Sequence, residues 1–255
     1  MNDILAKHAK KKDKKSIAII LQLIFWLILI YSLIEIVKWY IDNKQNEEIM
    51  EEISNAITVV ETEQVTENQE ENYKIDFNAL KQVNSDTVAF LKINGTEIEY
   101  PIVKTRNNEF YLKHSFDKTY NSAGWIFADY RNKLDGTDKN IVIYGHNRKN
   151  GTMFSSLRNI LKKEWYNNPE NLKIQLITEN EEIIYEFFSI YQIEKEYYYL
   201  QTDFNNANQY LSFLETLKNR SIKSFGVELT TANQILTLST CANDNDYRVV
   251  LHAKN

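Results

Sequence analysis

Cysteine is nearly absent from this 255-residue chain: Cys241 stands alone, beside two prolines and six glycines. A single cysteine excludes an internal disulfide framework and a multi-cysteine zinc site. So little glycine and proline excludes a collagen-like repeat. Basic excess is missing too. The 30 Lys and Arg stand against 35 Asp and Glu, for a net charge of −5. That balance argues against a dedicated nucleic-acid binder, which needs a basic stripe on its folded domain. All six glycines and both prolines lie at or after Gly95. The first ninety-odd residues are therefore organised differently from the rest.

The N-terminal part carries the one long hydrophobic run. Residues 7–15 read KHAKKKDKK, and Ile17 to Ile34 follow as 18 residues interrupted only by Gln22 and Ser32. At 1.5 Å per residue that run spans about 27 Å, close to the roughly 30 Å of a bilayer core, and it can extend to Val37. Trp39 and Tyr40 supply the aromatic pair expected at a membrane–water interface. The run is too long for an ordinary signal-peptide core, and no small-x-small cleavage site follows it. With the basic flank first, the positive-inside rule sets the N-terminus in the cytoplasm. Between Asp42 and Glu71, ten acidic residues face one lysine and no aromatic appears. Such composition reads as a solvated spacer. The expected organisation is a cytoplasmic basic tail (1–16), a transmembrane signal-anchor helix (17–37), an acidic extracellular stalk (38–72) and a folded domain (73–255).

From Tyr73 the chain reads as short strands with turn punctuation. VAFLKI (88–93) and EIEYPIV (97–103) flank Asn94-Gly95, a hairpin signal. Further strand-like runs cover 124–129, 140–145, 172–178, 182–193, 233–241 and 247–254. Helical spacing predicts one helix around Met153–Lys163 and another around Asp203–Arg220, with Asp203 as N-cap. Many strands with few helices predict a mainly β fold, a closed or nearly closed antiparallel barrel.

Few residues are available for chemistry. Cys241 ends the run ILTLSTC and precedes the polar loop ANDNDY. Period-two alternation puts it on the same strand face as Thr237 and Ser239. A polar strand tip favours a presented thiol over a packed one. Free cysteine has a pKa of about 8.5, so it needs a partner to react at neutral pH. Histidine is the usual helper. His8 lies on the cytoplasmic side, and His114 sits in the unremarkable stretch NNEFYLKHSF. His252 is four residues along the last strand from Arg248, roughly 13 Å. His146 ends the apolar strand IVIYG and opens a polar loop, a strand-tip position like that of Cys241. Position ranks His146 first, then His252, then His114. Arg248 opens the strand after the cysteine loop. It is either a surface strand residue or a source of fixed donors for an oxyanion near Cys241. Asp244 and Asp246 read as loop solvation.

TLSTC (237–241) with an Arg-led terminal strand, together with YGHN (144–147) and GTMFSSL (151–157), resembles the sortases, most closely class B. The resemblance covers about residues 86–255, and the long helix between strands at 203–220 fits the same class. It implies an eight-stranded sortase-type β-barrel with peripheral helices, held at the membrane by the N-terminal helix, and no cofactor or metal. It implies a cysteine transpeptidase that cuts a C-terminal sorting motif of secreted proteins and joins the new carboxyl end to a peptidoglycan amine. In that reading Cys241 is the nucleophile, His146 the general acid/base and Arg248 the oxyanion stabiliser. Tyr144, Ser239 and Asn108 match positions near the substrate groove. The rival activity is a cysteine peptidase that releases the acid, and the rival class is a non-catalytic module in which Cys241 is merely packed.

Overall fold

The computed structural model describes the backbone of residues 2–60, 72–148, 150–241 and 247–255, and side chains within 17–58, 73–148, 150–240 and 247–255. The chain divides into two compact units, Met1–Gln45 and Asn46–Asn255. The first unit is helical throughout its described length, within α1 (Asn2–Ile53). Its apolar residues from Ile17 to Ile41 are exposed. By length and composition this helix can cross a membrane.

The second unit is built around a barrel. Its elements are β1 (Ile57–Val60), β2 (Asn72–Ile75), α2 (Phe77–Val83), β3 (Thr87–Ile93), β4 (Glu99–Val103), β5 (Phe127–Ala128), β6 (Asn140–His146), α3 (Lys163–Tyr166), β7 (Lys173–Ile177), β8 (Glu182–Glu194), α4 (Ala207–Asn219), β9 (Ile235–Cys241) and β10 (Tyr247–Lys254). Eight of these strands close into a barrel in the order β10-β8-β7-β3-β4-β5-β6-β9, while β1 and β2 pair separately. Closure removes the unpaired edges that an open sheet would expose. Two neighbouring pairs, β4 with β5 and β6 with β9, are parallel, so the barrel is mixed rather than antiparallel throughout. The parallel β6–β9 pair matters most, because it brings two strand ends separated by ninety-odd residues to the same rim.

Alternating apolar residues make the main core: Leu91, Ile93, Ile102, Ile141, Ile143, Leu236, Leu238 and Leu251 are all buried. A second core lies under α4. Tyr210, Phe213, Leu214 and Leu217 form one helical stripe against Phe188, Tyr191, Ile235 and Val250. This helix starts later than its composition implies. Asn206, not Asp203, is the cap: its side-chain oxygen accepts the Gln209 N–H at 2.9 Å. The segment expected as a helix at 153–163 is a 3₁₀ stretch, Ser155–Leu161, followed by the single turn of α3. The β3–β4 connection spans five residues rather than two, closed by the Ile93 N–H donating to the Ile98 carbonyl at 3.1 Å, with Gly95 at φ +67°.

Composition also misplaces the start of the folded unit. Ile49, Ile53 and Ala56 are buried in the main core, and β1 pairs with β2 in register from Ile57↔Ile75 to Val60↔Asn72. The acidic segment hides an apolar stripe that an average charge does not show. Residues 61–71 of the expected stalk lie outside the described residues.

Candidate active site

The site is assembled by strand register. β6 and β9 lie side by side with Tyr144 paired to Ser239, Gly145 to Thr240 and His146 to Cys241. On the other side of β9, Val250 of β10 faces Ser239 and the Val249 N–H donates to Thr240 Oγ1 at 2.9 Å. Continued by two residues, that register sets Arg248 across from Cys241. Adjacent strands are about 4.8 Å apart, so His146, Cys241 and Arg248 form one row roughly 10 Å long at one end of the barrel. Cys241 is located here by its backbone alone. The expected loop solvation by Asp244 and Asp246 falls outside the described residues.

His146 is buried at 7% exposure, with its Nε2 2.8 Å from the Leu112 carbonyl oxygen. A carbonyl only accepts, so Nε2 carries the hydrogen and Nδ1 is the ring nitrogen that exchanges a proton. Two glycines make this placement possible. Gly124 has φ +62°, and a Cβ there would lie 2.5 Å from the Tyr111 carbonyl oxygen and 2.8 Å from His146 Cδ2. A Cβ on Gly145 would lie 2.6 Å from the Phe154 ring. Phe154 in turn donates its N–H to the His146 carbonyl at 3.0 Å. The Gly-His pair and the downstream Phe are thus one packing unit.

A cleft of about 300 Å³ opens beside the row. Asn108, Phe127, Arg131 and Tyr144 line it from the β4–β6 side, Tyr197, Tyr199 and Leu200 from the segment after β8, and Ser239, Thr240 and Arg248 from β9 and β10. All three residues expected near a groove, Asn108, Tyr144 and Ser239, therefore meet in one cleft with Arg248. The Ser239 hydroxyl is 3.0 Å from that of Tyr199.

The hub of the cleft wall is Asp129, which sequence reasoning did not single out. Its fully buried carboxylate accepts from Tyr144 Oη at 2.8 Å, Asn108 Nδ2 at 2.9 Å, and Arg131 Nε and Nη2 at 2.8 Å each. Burial pushes its pKa upward, but the hydrogen bonds from Arg131 and Tyr144 outweigh burial and hold it below the ordinary carboxylate value. Arg131 also reaches the Leu200 carbonyl at 2.9 Å, tying the two sides of the cleft together. The available signal was FADYR, a carboxylate and an arginine two residues apart at the end of an apolar strand.

The other described histidines are elsewhere. His114 stacks on Phe110 with ring centroids 3.9 Å apart. His252 is fully buried, with Nδ1 2.8 Å from Thr237 Oγ1 and Nε2 2.8 Å from Tyr191 Oη. Thr237 donates its only hydroxyl hydrogen to Asn140 Oδ1 at 2.7 Å, so His252 Nδ1–H must donate to Thr237 and Nε2 must accept from Tyr191. Burial, with the Arg220 charge adding to it, lowers the His252 pKa to about 3.

Residues 91–255 match the sortase domain. The chain belongs to the sortase family. Sortase B of Listeria monocytogenes is 33% identical over 216 residues, covering 84% of this chain and 86% of that protein. Sortase B of Staphylococcus aureus is 29% identical over 238 residues, covering 92% of this chain and 95% of that one. The solved structure of sortase B from B. anthracis superposes with a TM-score of 0.72 at 32% identity, over 84% of this chain and 98% of that one. The protein is thus a class B type sortase, a transpeptidase on an eight-stranded barrel.

Proposed function

We propose that this sortase is a membrane-anchored cysteine transpeptidase in which Cys241, His146 and Arg248 carry the chemistry. The observation that supports this assignment is the row across β6, β9 and β10: backbone register sets Cys241 between His146 and Arg248 at one rim, beside a substrate-sized cleft. The Cys241 thiol gives up its proton to His146 Nδ1, and the resulting thiolate attacks the carbonyl of a sorting motif near the C-terminus of a secreted protein. The tetrahedral oxyanion forms beside the Arg248 guanidinium, whose fixed N–H fork complements the developing charge. His146 protonates the departing amine, the C–N bond breaks, and a thioester to Cys241 remains. A cell-wall peptidoglycan amine then attacks the thioester, His146 takes its proton, and the thiol is released. Asn108, Tyr144 and Ser239 bind the motif along the cleft.

The basic residues before the apolar span place the N-terminus in the cytoplasm and residues 42–255 outside, where both substrates are. The test is product analysis with and without an added amine. One solved sortase B structure is a complex with triglycine, so that peptide is the first amine to use. Transfer predicts that the N-terminal peptide fragment gains triglycine and that turnover rises with its concentration. Release of free acid at an unchanged rate would make the protein a peptidase.

A further inference from the structure

The last turns of α1 belong to the folded unit and present one buried stripe, Asn46, Ile49 and Ile53. Two of the three are apolar and need no further reason. A buried amide does need partners, because an unmet polar group there costs roughly 1–3 kcal/mol. Asn46 Oδ1 accepts from Ser115 Oγ and, at 3.3 Å, from Asn121 Nδ2. Asn121 is itself fully buried and organises the turn around it. Its Oδ1 accepts the Ala123 N–H at 2.8 Å, its carbonyl accepts the Gly124 N–H at 3.0 Å, and its own N–H donates to the Lys113 carbonyl at 2.9 Å. Gly124, bonded in that turn, is where an added Cβ would meet His146 Cδ2, and Leu112, next to the bonded Lys113, supplies the carbonyl at His146 Nε2. One polar chain therefore runs from the juxtamembrane helix through Asn121 to the imidazole.

We propose that Asn46 is a positioning residue for transpeptidation. By holding Asn121 it fixes the 111–124 segment, so that the Leu112 carbonyl keeps His146 in the Nε2–H tautomer and in one orientation. This rests on the reading of His146 as the acid/base, and it makes residues 46–53 a working part of the folded unit to which they belong. A purely structural Asn46 would affect stability and leave the histidine ring and turnover alone.

The experiment uses the full chain in detergent, with ¹⁵N-labelled histidine, and compares wild type with Asn46→Leu, which keeps the branched shape and removes the acceptor. Long-range ¹H–¹⁵N spectra at alkaline pH report the His146 tautomer, and steady-state kinetics give kcat and KM. In Asn46→Leu the ring signals are expected to move from the Nε2–H tautomer toward the average of both, with kcat falling about tenfold and KM nearly unchanged, as a small misplacement of a reacting group does. Wild-type ring signals and kcat, even beside a lowered Tm, would overturn the proposal. Should Asn46→Leu not fold, Asn46→Ser, whose hydroxyl reaches less far, is judged by the same two readouts. A shifted ring in Asn46→Leu together with full turnover in His146→Ala would refute the catalytic role of His146 while leaving the positioning contact standing.

Discussion

His252→Phe separates the two inner histidines of the fold by a pH signature. In the native state His252 is neutral, since burial holds its pKa at about 3 against an ordinary value of about 6.5. The unfolded chain therefore binds a proton between those values and the folded chain does not. The stability tied to this neutral ring is fully present above pH 6.5 and is lost as pH falls toward 3. Between pH 7 and pH 5 the loss amounts to about 2 kcal/mol, from 1.36 kcal/mol per pH unit over some 1.5 units below the unfolded pKa. Phenylalanine keeps the ring stacking beside Phe188 and Tyr191 but leaves the Tyr191 hydroxyl and one Thr237 lone pair without their partner. That costs about 2–4 kcal/mol at pH 7. Urea denaturation of both proteins, without residues 1–45, at pH 7, 6 and 5 gives the difference directly. The gap between wild type and variant should narrow by about 2 kcal/mol on going to pH 5, because only wild type carries the linkage. A gap that stays constant or widens would refute the assignment of a neutral, buried His252. Turnover at pH 7 should remain within a few-fold of wild type, whereas His146→Ala should lose orders of magnitude.

Arg248→Lys keeps the charge but replaces a planar fork with one mobile ammonium, so kcat/KM should fall at least about tenfold with Tm nearly unchanged; wild-type kinetics would reduce Arg248 to a general positive field. Asp129→Asn keeps the shape of the hub but removes the charge of the buried carboxylate that pairs with the exposed Arg131, which should cost about 1–3 kcal/mol in denaturant unfolding. The same variant should raise KM through Tyr144 and Asn108, and an unchanged KM would remove the hub from substrate binding.

The strands were legible because β-branched and apolar residues alternate along them, and β10 runs over 247–254 as that alternation predicts. Helix α4 was legible from its 3.6-residue stripe, although three polar residues before it blurred the cap. The pairings were not legible. Parallel contacts such as β6 with β9 join segments far apart in sequence, and no local pattern encodes them. His146 and Cys241 could be read only as two strand tips; their shared register is a property of the closed barrel. Asp129 looked like an ordinary polar residue after a strand, and only the folded structure turns three donor side chains toward it. Asn46, Ile49 and Ile53 were hidden by the acidic residues between them, since charge averaging conceals a stripe of one residue per turn.

The central claim is that acyl transfer passes through Cys241. Intact-protein mass spectrometry after mixing the enzyme with a pooled library of C-terminal sorting peptides, without any added amine, tests it directly. The predicted result is a covalent adduct whose mass gain is that of an N-terminal peptide fragment less one water, mapped by digestion to the segment holding Cys241, released as a hydroxamate by hydroxylamine and absent from Cys241→Ala. Peptide cleavage that persists in Cys241→Ala, or an adduct on another residue, would contradict it.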